Sequence, residues 1–210
     1  MQLVVLSNDE LKEELLAQGS DGKAEFTWIS SPGEFALHQH ADGYIDLLFD
    51  NTAERVSLLA RLSAKPVIVN SVVATLTSMN APFIRINAWP GFLKRSLVEA
   101  SYKNDNIKEQ AERIFSFLNK KTEWIIDQPG FVTARVIAMI INEAYFALGE
   151  DVSTKEEIDA AMILGTNYPY GPFEWCSKIG IKNVYRLLSE LSGIKARYQP
   201  AVLLEKEALA

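Results

Sequence analysis

Cysteine is nearly missing from these 210 residues. Cys176 is the sole one, so no internal disulfide framework can brace the chain. The segment from Met1 has neither a basic stretch nor a long apolar stretch of the kind a secretory leader needs, and with the single cysteine this predicts a reducing cytoplasm. Long hydrophobic runs are missing too. The longest, Val136 to Ile141, is far below the ~20 residues of a membrane span. Basic residues are outnumbered, 21 Lys and Arg against 27 Asp and Glu, for a net charge of −6. That balance excludes a general nucleic-acid or membrane-surface binder. An anionic coenzyme would need a local basic patch or a helix N-terminus. There are two histidines, His38 and His40. Two residues apart on a strand they can face one metal, with Asp42 and Asp46 as further oxygens, but with no cysteine nearby the pair reads as an exposed loop and no metal is expected. Cys176 reads as a small buried apolar residue.

What the chain does have is 48 % apolar residues, enough for an ordinary core. Over residues 1–127 short apolar runs alternate with helical segments. Leu3–Leu6, Phe26–Ile29, Tyr44–Phe49, Val67–Val69, Phe83–Ile86 and Trp124–Ile126 read as strands. Helices are predicted after Asn8 or Asp9, over Thr52–Leu62 and over Asp105–Leu118. Strands apolar on both faces, alternating with helices, predict a largely parallel sheet. The character changes at Asp127-Gln128-Pro129-Gly130, and residues 128–210 read as all helical. Phe131–Leu148 is apolar on most sides and needs cover on most sides. Ser153-Thr154-Lys155-Glu156 reads as a capping box for a helix ending at Leu164 before Gly165. Pro172 suits the first position of a helix over Phe173–Ile179. Helices over Lys182–Leu191 and from Pro200 complete the reading.

The order of several C-terminal pieces is specific. Asp127-Gln128-Pro129-Gly130-Phe131-Val132 with Arg135 leads to Asn142-Glu143-Ala144. Ile158-Asp159-Ala160-Ala161-Met162 with Gly165 follows, then Tyr168-Pro169-Tyr170-Gly171-Pro172-Phe173-Glu174 and Arg197-Tyr198-Gln199-Pro200. Together they resemble the C-terminal domain of 3-hydroxyacyl-CoA dehydrogenases. Upstream, Asp42–Phe49, Lys65–Ser71 and Pro82–Glu99 resemble the late part of that family's NAD domain, and residues 1–42 a shortened early part. The resemblance implies an α/β chain: a shortened Rossmann-like, mostly parallel sheet (1–127) followed by an all-α dimerisation domain (128–210). It also implies NAD-linked oxidation of a 3-hydroxyacyl-CoA.

The residues for that chemistry depart from the pattern. Close backbone approach to a pyrophosphate needs a glycine-rich turn between the first strand and helix. Leu3–Leu6 is followed instead by Ser7-Asn8-Asp9-Glu10, with no glycine and two acids. Alcohol oxidation needs a base, in this family a histidine paired with a glutamate. Asn87 or Ile86 stands at the histidine position, a dozen residues before Glu99, and neither takes a proton at neutral pH. The family's Asn-Thr-Ser-type turn corresponds to Asn70-Ser71-Val72-Val73. Its substrate-orienting asparagine on the long helix corresponds to Ala134. Ser71, Asn87, Glu99 and Ala134 are therefore remnant positions. No cofactor is expected, NAD being implied only if an active site of unusual design exists.

Lys94-Arg95 suits coenzyme A phosphates or a solvated pair, and Lys120-Lys121 suits a helix C-terminus. Trp89, Phe92, Tyr168, Tyr170, Phe173 and Trp175 suit an acyl pocket or packing. Two readings follow. One is a member without dehydrogenase activity that dimerises through its helical domain and binds acyl-CoA or an active relative. The other is a working 3-hydroxyacyl-CoA dehydrogenase, such as a 3-hydroxybutyryl-CoA enzyme, with an atypical site.

Overall fold

Aliphatic runs with no polar side make strands that must be covered on both faces. The computed structural model describes residues 1–210, which divide into two compact units, Met1–Phe131 and Val132–Ala210. The first runs β1 (Gln2–Leu6), α1 (Asp9–Leu16), β2 (Glu25–Ile29), β3 (Gly43–Asp46), α2 (Ala53–Ala60), β4 (Val67–Asn70), α3 (Leu76–Met79), β5 (Ile84–Ile86), β6 (Leu97–Ser101), α4 (Asp105–Phe117) and β7 (Lys121–Trp124). A 3-10 turn at Pro32–Leu37 separates β2 from β3.

The seven strands form one sheet in the order β2-β1-β3-β4-β5-β6-β7. Every pairing is parallel except β5 with β6. The mostly parallel sheet expected from the sequence is therefore present, with one antiparallel step. Right-handed crossovers place α1 and α2 on opposite faces, because the chain builds outward from β1 in both directions. One face buries Leu3, Val5, Ile45 and Ile68 under Leu11 and Leu15 of α1 and Ile107, Ala111 and Ile114 of α4. The other buries Val4, Leu6, Tyr44, Val67 and Val69 with Phe35, Leu59 and Leu76. Where β3 passes beneath α4, a Cβ on Gly43 would meet Ile114 Cδ1 at 2.8 Å and Leu3 Cδ2 at 3.1 Å, so those side-chain ends would have to shift.

Several boundaries moved. The third strand stops at Asp46, three residues before Phe49, because Asp46 turns back to accept from Leu48 N. The last strand is Lys121–Trp124, not Trp124–Ile126, since the pairing with β6 already opens at Lys121, which faces Leu97 and donates to Ser96 O. Strand β6 was not anticipated: Lys94, Arg95 and Ser96 before it are exposed and masked its short apolar core, Val98 and Ala100.

The second unit contains α5 (Thr133–Gly149), α6 (Lys155–Thr166), α7 (Pro172–Ile179), α8 (Ile181–Ser192) and α9 (Val202–Leu209). Helix α5 packs against α7, α8 and α9, while α6 packs on α7. Thr154 caps α6, with Glu157 as the reciprocal partner, one residue later than the sequence suggested. The helix ends at Asn167 in the left-handed conformation, so Gly165 lies inside it. No helix is long and apolar enough to cross a membrane.

Candidate functional site

Two pieces of the C-terminal pattern that are far apart in sequence prove to be single structural devices. Asn142 of α5 donates to Gln199 O at 2.9 Å and accepts from Ala201 N at 2.8 Å. Both polar atoms of a buried amide are thus used to anchor the Arg197–Pro200 turn. Asp159 of α6 accepts from Phe173 N and Glu174 N at 2.8 and 3.0 Å, capping α7 from outside the helix. Gly171 leaves room for that carboxylate: a Cβ there would lie 2.3 Å from Asp159 Cγ.

In the first unit the sheet gathers three of the four remnant positions on neighbouring strands. Ser71, just past β4, donates its N–H to Ile86 O of β5, and Asn87 N donates to Glu99 O of β6. The side chains of Asn87 and Glu99 meet: Asn87 Nδ2 donates to Glu99 Oε2 at 3.0 Å, and the two residues are 3 % and 8 % exposed. Glu99, one of the remnant positions, is thus a buried carboxylate held by an amide. Asn87 Oδ1 also accepts from Trp89 N, which fixes the turn out of β5. The Ser71 hydroxyl donates to Ala74 O. Asn70 spans from β4 to the same turn, bonding Leu47 O, Ala88 O and Ala88 N. Ala134, the fourth position, is fully buried in α5 of the second unit and offers only a methyl group.

Sequence reading missed the groups that set the loop between Asn87 and Glu99. Glu14 of α1 is 9 % exposed and accepts from Gly91 N, Leu93 N and Lys94 N. Lys120, read as an ordinary helix-end cation, is instead 4 % exposed and donates to Leu93 O and Arg95 O. Burial pushes its ammonium down to about 8, against the pull of Glu14. This clamp presents Lys94 and Arg95 as exposed cations, with the Arg95 guanidinium 4.8 Å from the Phe92 ring. One signal was visible, since Leu11, Glu14 and Leu15 share the helix face that must be buried. Arg85 was also missed, a fully buried guanidinium between Ile84 and Ile86. It donates to Ala74 O and Gln128 O, pairs with Asp127 at 3.3 Å and lies 4.2 Å from the Phe131 ring. The Asp127–Phe131 breaker is thereby tied to β5. Gly130 takes φ 85° freely and donates its N–H to Val72 O, whereas Phe131 at φ 48° holds a left-handed conformation that costs a residue with a Cβ.

The turn from β1 to α1 is two residues long. Asn8 spends its side-chain oxygen on Leu11 N, and Asp9 and Glu10 fill the first turn. At the end of β3, Asp46 is fully buried beside Arg55 at 3.3 Å, and Arg55 also reaches Asp50 at 3.8 Å. Burial raises the Asp46 carboxyl to about 6, more than Arg55 lowers it. A cavity of about 480 Å³ next to this pair is lined by Ser31, Thr52, Arg55 and Arg61, among others. No group of three or more His, Cys, Asp or Glu is arranged to hold a metal ion. Cys176 is buried, and burial pushes its thiol to about 11, far from a nucleophile.

Residues 130–210 match the family model of the 3-hydroxyacyl-CoA dehydrogenase C-terminal domain. The chain is 34 % identical over 165 residues to the 3-hydroxyadipyl-CoA dehydrogenase of Escherichia coli (strain K12), covering 78 % of this chain and 31 % of that protein. It thus spans about a third of that relative's length. It is 27 % identical over 219 residues to a probable 3-hydroxybutyryl-CoA dehydrogenase of Bacillus subtilis (strain 168), covering 93 % of this chain and 76 % of that one. The fold matches that of the (S)-3-hydroxybutyryl-CoA dehydrogenase of Ralstonia eutropha with a TM-score of 0.75 at 19 % identity, over 98 % of this chain and 92 % of that one. With the ordered C-terminal pattern explained as tertiary anchors and the sheet mostly parallel as expected, residues 130–210 belong to the family of the 3-hydroxyacyl-CoA dehydrogenase C-terminal domain, on a chain that has the fold of a 3-hydroxybutyryl-CoA dehydrogenase.

Proposed function

We propose that this chain is a 3-hydroxyacyl-CoA dehydrogenase homologue of acyl-CoA metabolism, cytoplasmic, that binds acyl-CoA without oxidising it and self-associates through its helical unit. The observation that carries this reading is the buried Asn87–Glu99 pair. Oxidation of a 3-hydroxyl by hydride transfer must also remove the hydroxyl proton, and a carboxamide has no basic site at neutral pH. Asn87 makes with Glu99 the hydrogen bond a histidine would make, so the scaffold is kept and the base is gone.

NAD does not fit the first β–α turn. A pyrophosphate needs free backbone N–H groups at a helix N-terminus and no Cβ in its way. Here Leu11 N is already taken by Asn8, and Asp9 and Glu10 oppose an anion. Ala134 adds a third lost function, since a methyl group cannot orient a substrate by hydrogen bonding. Acyl-CoA remains compatible, because the rigid Pro90–Arg95 loop offers Lys94 and Arg95 to phosphates. Self-association is supported by α6, which is rich in apolar residues yet has none buried, and by Leu164 at its end, 86 % exposed.

Calorimetric titration of the purified chain with NADH, with and without acetoacetyl-CoA, tests this. Acetoacetyl-CoA binding with no NADH heat is expected. Saturable NADH binding would refute the loss of function and turn attention to Glu99 as an unusual base. Binding of neither ligand would leave protein partners, an active relative first, as the ligands to seek.

A further inference from the structure

The sheet ends on β2, and its free edge is unguarded. Glu25 N donates to Met1 O, so in the alternating parallel ladder Glu25, Thr27 and Ile29 turn their backbone groups toward β1. Phe26 and Trp28 turn theirs outward, where β2 has no neighbouring strand. Natural edge strands are blunted by proline, by bulges, by charge or by a covering segment. Strand β2 has no proline, an unbroken register of five pairs with β1, and Glu25 as its one charge. The 3-10 turn that follows lies near β2 and packs Phe35 on the face that holds Tyr44, with ring centroids 6.1 Å apart. Thr27 is exposed, and Phe26 and Trp28 are half-buried with their rings stacked at 5.7 Å.

We propose that β2 is an interaction edge that pairs antiparallel with β2 of a second copy of this chain, about a two-fold axis at Thr27. The strand is self-complementary in that register. Phe26 faces the partner's Trp28 as a hydrogen-bonded pair, so the outward N–H and C=O groups of both residues are satisfied in each copy. The same pairing sets an aromatic side chain opposite an aromatic side chain on one face, a favourable cross-strand contact. Thr27 faces the partner's Thr27 as a non-hydrogen-bonded pair, and Glu25 faces the partner's Ile29, so no like charges oppose. Glu34 bounds the contact: it accepts from Ser30 N and Ser31 N and so ends the available edge after Ile29. The contact is isologous and closes as a dimer. It uses the first unit alone and does not depend on acyl-CoA binding or on association through α6.

Thr27→Cys in the full chain reads the register directly. Non-hydrogen-bonded antiparallel partners lie about 4.5 Å apart at Cα, within disulfide range. Mild oxidation is expected to convert most of the variant to a band of twice the chain mass, removed by reductant. Glu25→Cys should stay monomeric on the gel, because two such residues lie roughly 13 Å apart along the strands in this register. Thr27→Lys sets two cations face to face and is expected to halve the particle mass by light scattering. Thr27→Cys that crosslinks no faster than Glu25→Cys, or a mass unchanged by Thr27→Lys, would overturn the proposal. A dimer formed through the helical unit alone yields no Thr27 crosslink, so this result and the α6 reading fail separately.

Discussion

An amide and an imidazole can donate the same hydrogen bond, and they differ in whether they can take up a further proton near neutral pH. In the function proposed here that difference lies at Asn87, whose partner Glu99 is buried across the β5–β6 pairing. The sequence left Asn87 or Ile86 as the counterpart of the family's histidine; that the Asn87 side chain touches Glu99 was not legible, because an antiparallel step between β5 and β6 brings them together. Asp46 shows a second residue-scale effect. Its carboxyl is raised by burial to about 6 from an ordinary value near 3.8. The folded state therefore holds this proton more tightly than the unfolded chain. The stabilisation is full below about 3.8 and is lost as pH rises through 6, a swing on the order of 2–3 kcal/mol. Asp46→Asn should remove that swing. Urea midpoints of the wild type and the variant should diverge between pH 4 and 6.5 in the wild type's favour at the acid end. Parallel curves would refute the assignment.

At the scale of elements, the chain uses caps supplied from elsewhere. Helix α7 begins at Pro172 with Gly171 before it, and neither residue can cap it with a side chain. Asp159, on α6, does so from a distance in sequence. Asp159→Ala is expected to cost about 1–2 kcal/mol, the range of a lost cap near a helix dipole. Gly171→Ala should cost at least as much, because its methyl group would expel the same carboxylate. Chemical denaturation of both variants checks this, and an unchanged midpoint for Asp159→Ala would show the cap to be idle. Local caps were readable: Asn8, Thr52 and Thr154 all stand within the residues named from the sequence. The box at α6 was misplaced by one residue because Ser153 and Thr154 both fit the pattern, and Ser153 Oγ does bond Glu157. Remote caps and the Glu14–Lys120 clamp could not be read, since their partners are set by three-dimensional neighbourhood and not by spacing.

For the whole molecule, exposed apolar residues count as much as the core. Helix α6 has no buried residue, and Leu164 and Val202 are 86 % and 77 % exposed. Leu164→Glu is expected to lower the solution mass by light scattering, by breaking the association proposed through the helical unit. An unchanged mass would show that the assembly does not use this face.

The sequence by itself determined the alternation that makes a parallel sheet, the change to helices after Asp127, and the absence of a glycine-rich turn after β1. Each is a matter of periodicity or of a residue type at a fixed offset, which needs no distant partner. The tertiary structure alone decided that Asn87 meets Glu99, that Lys120 lies inside, that Arg85 ties the Asp127–Phe131 turn to the sheet, and that β2 ends as an open edge. These depend on which strands become neighbours, and strand order is set by crossover handedness and by what remains to be buried, not by any local pattern.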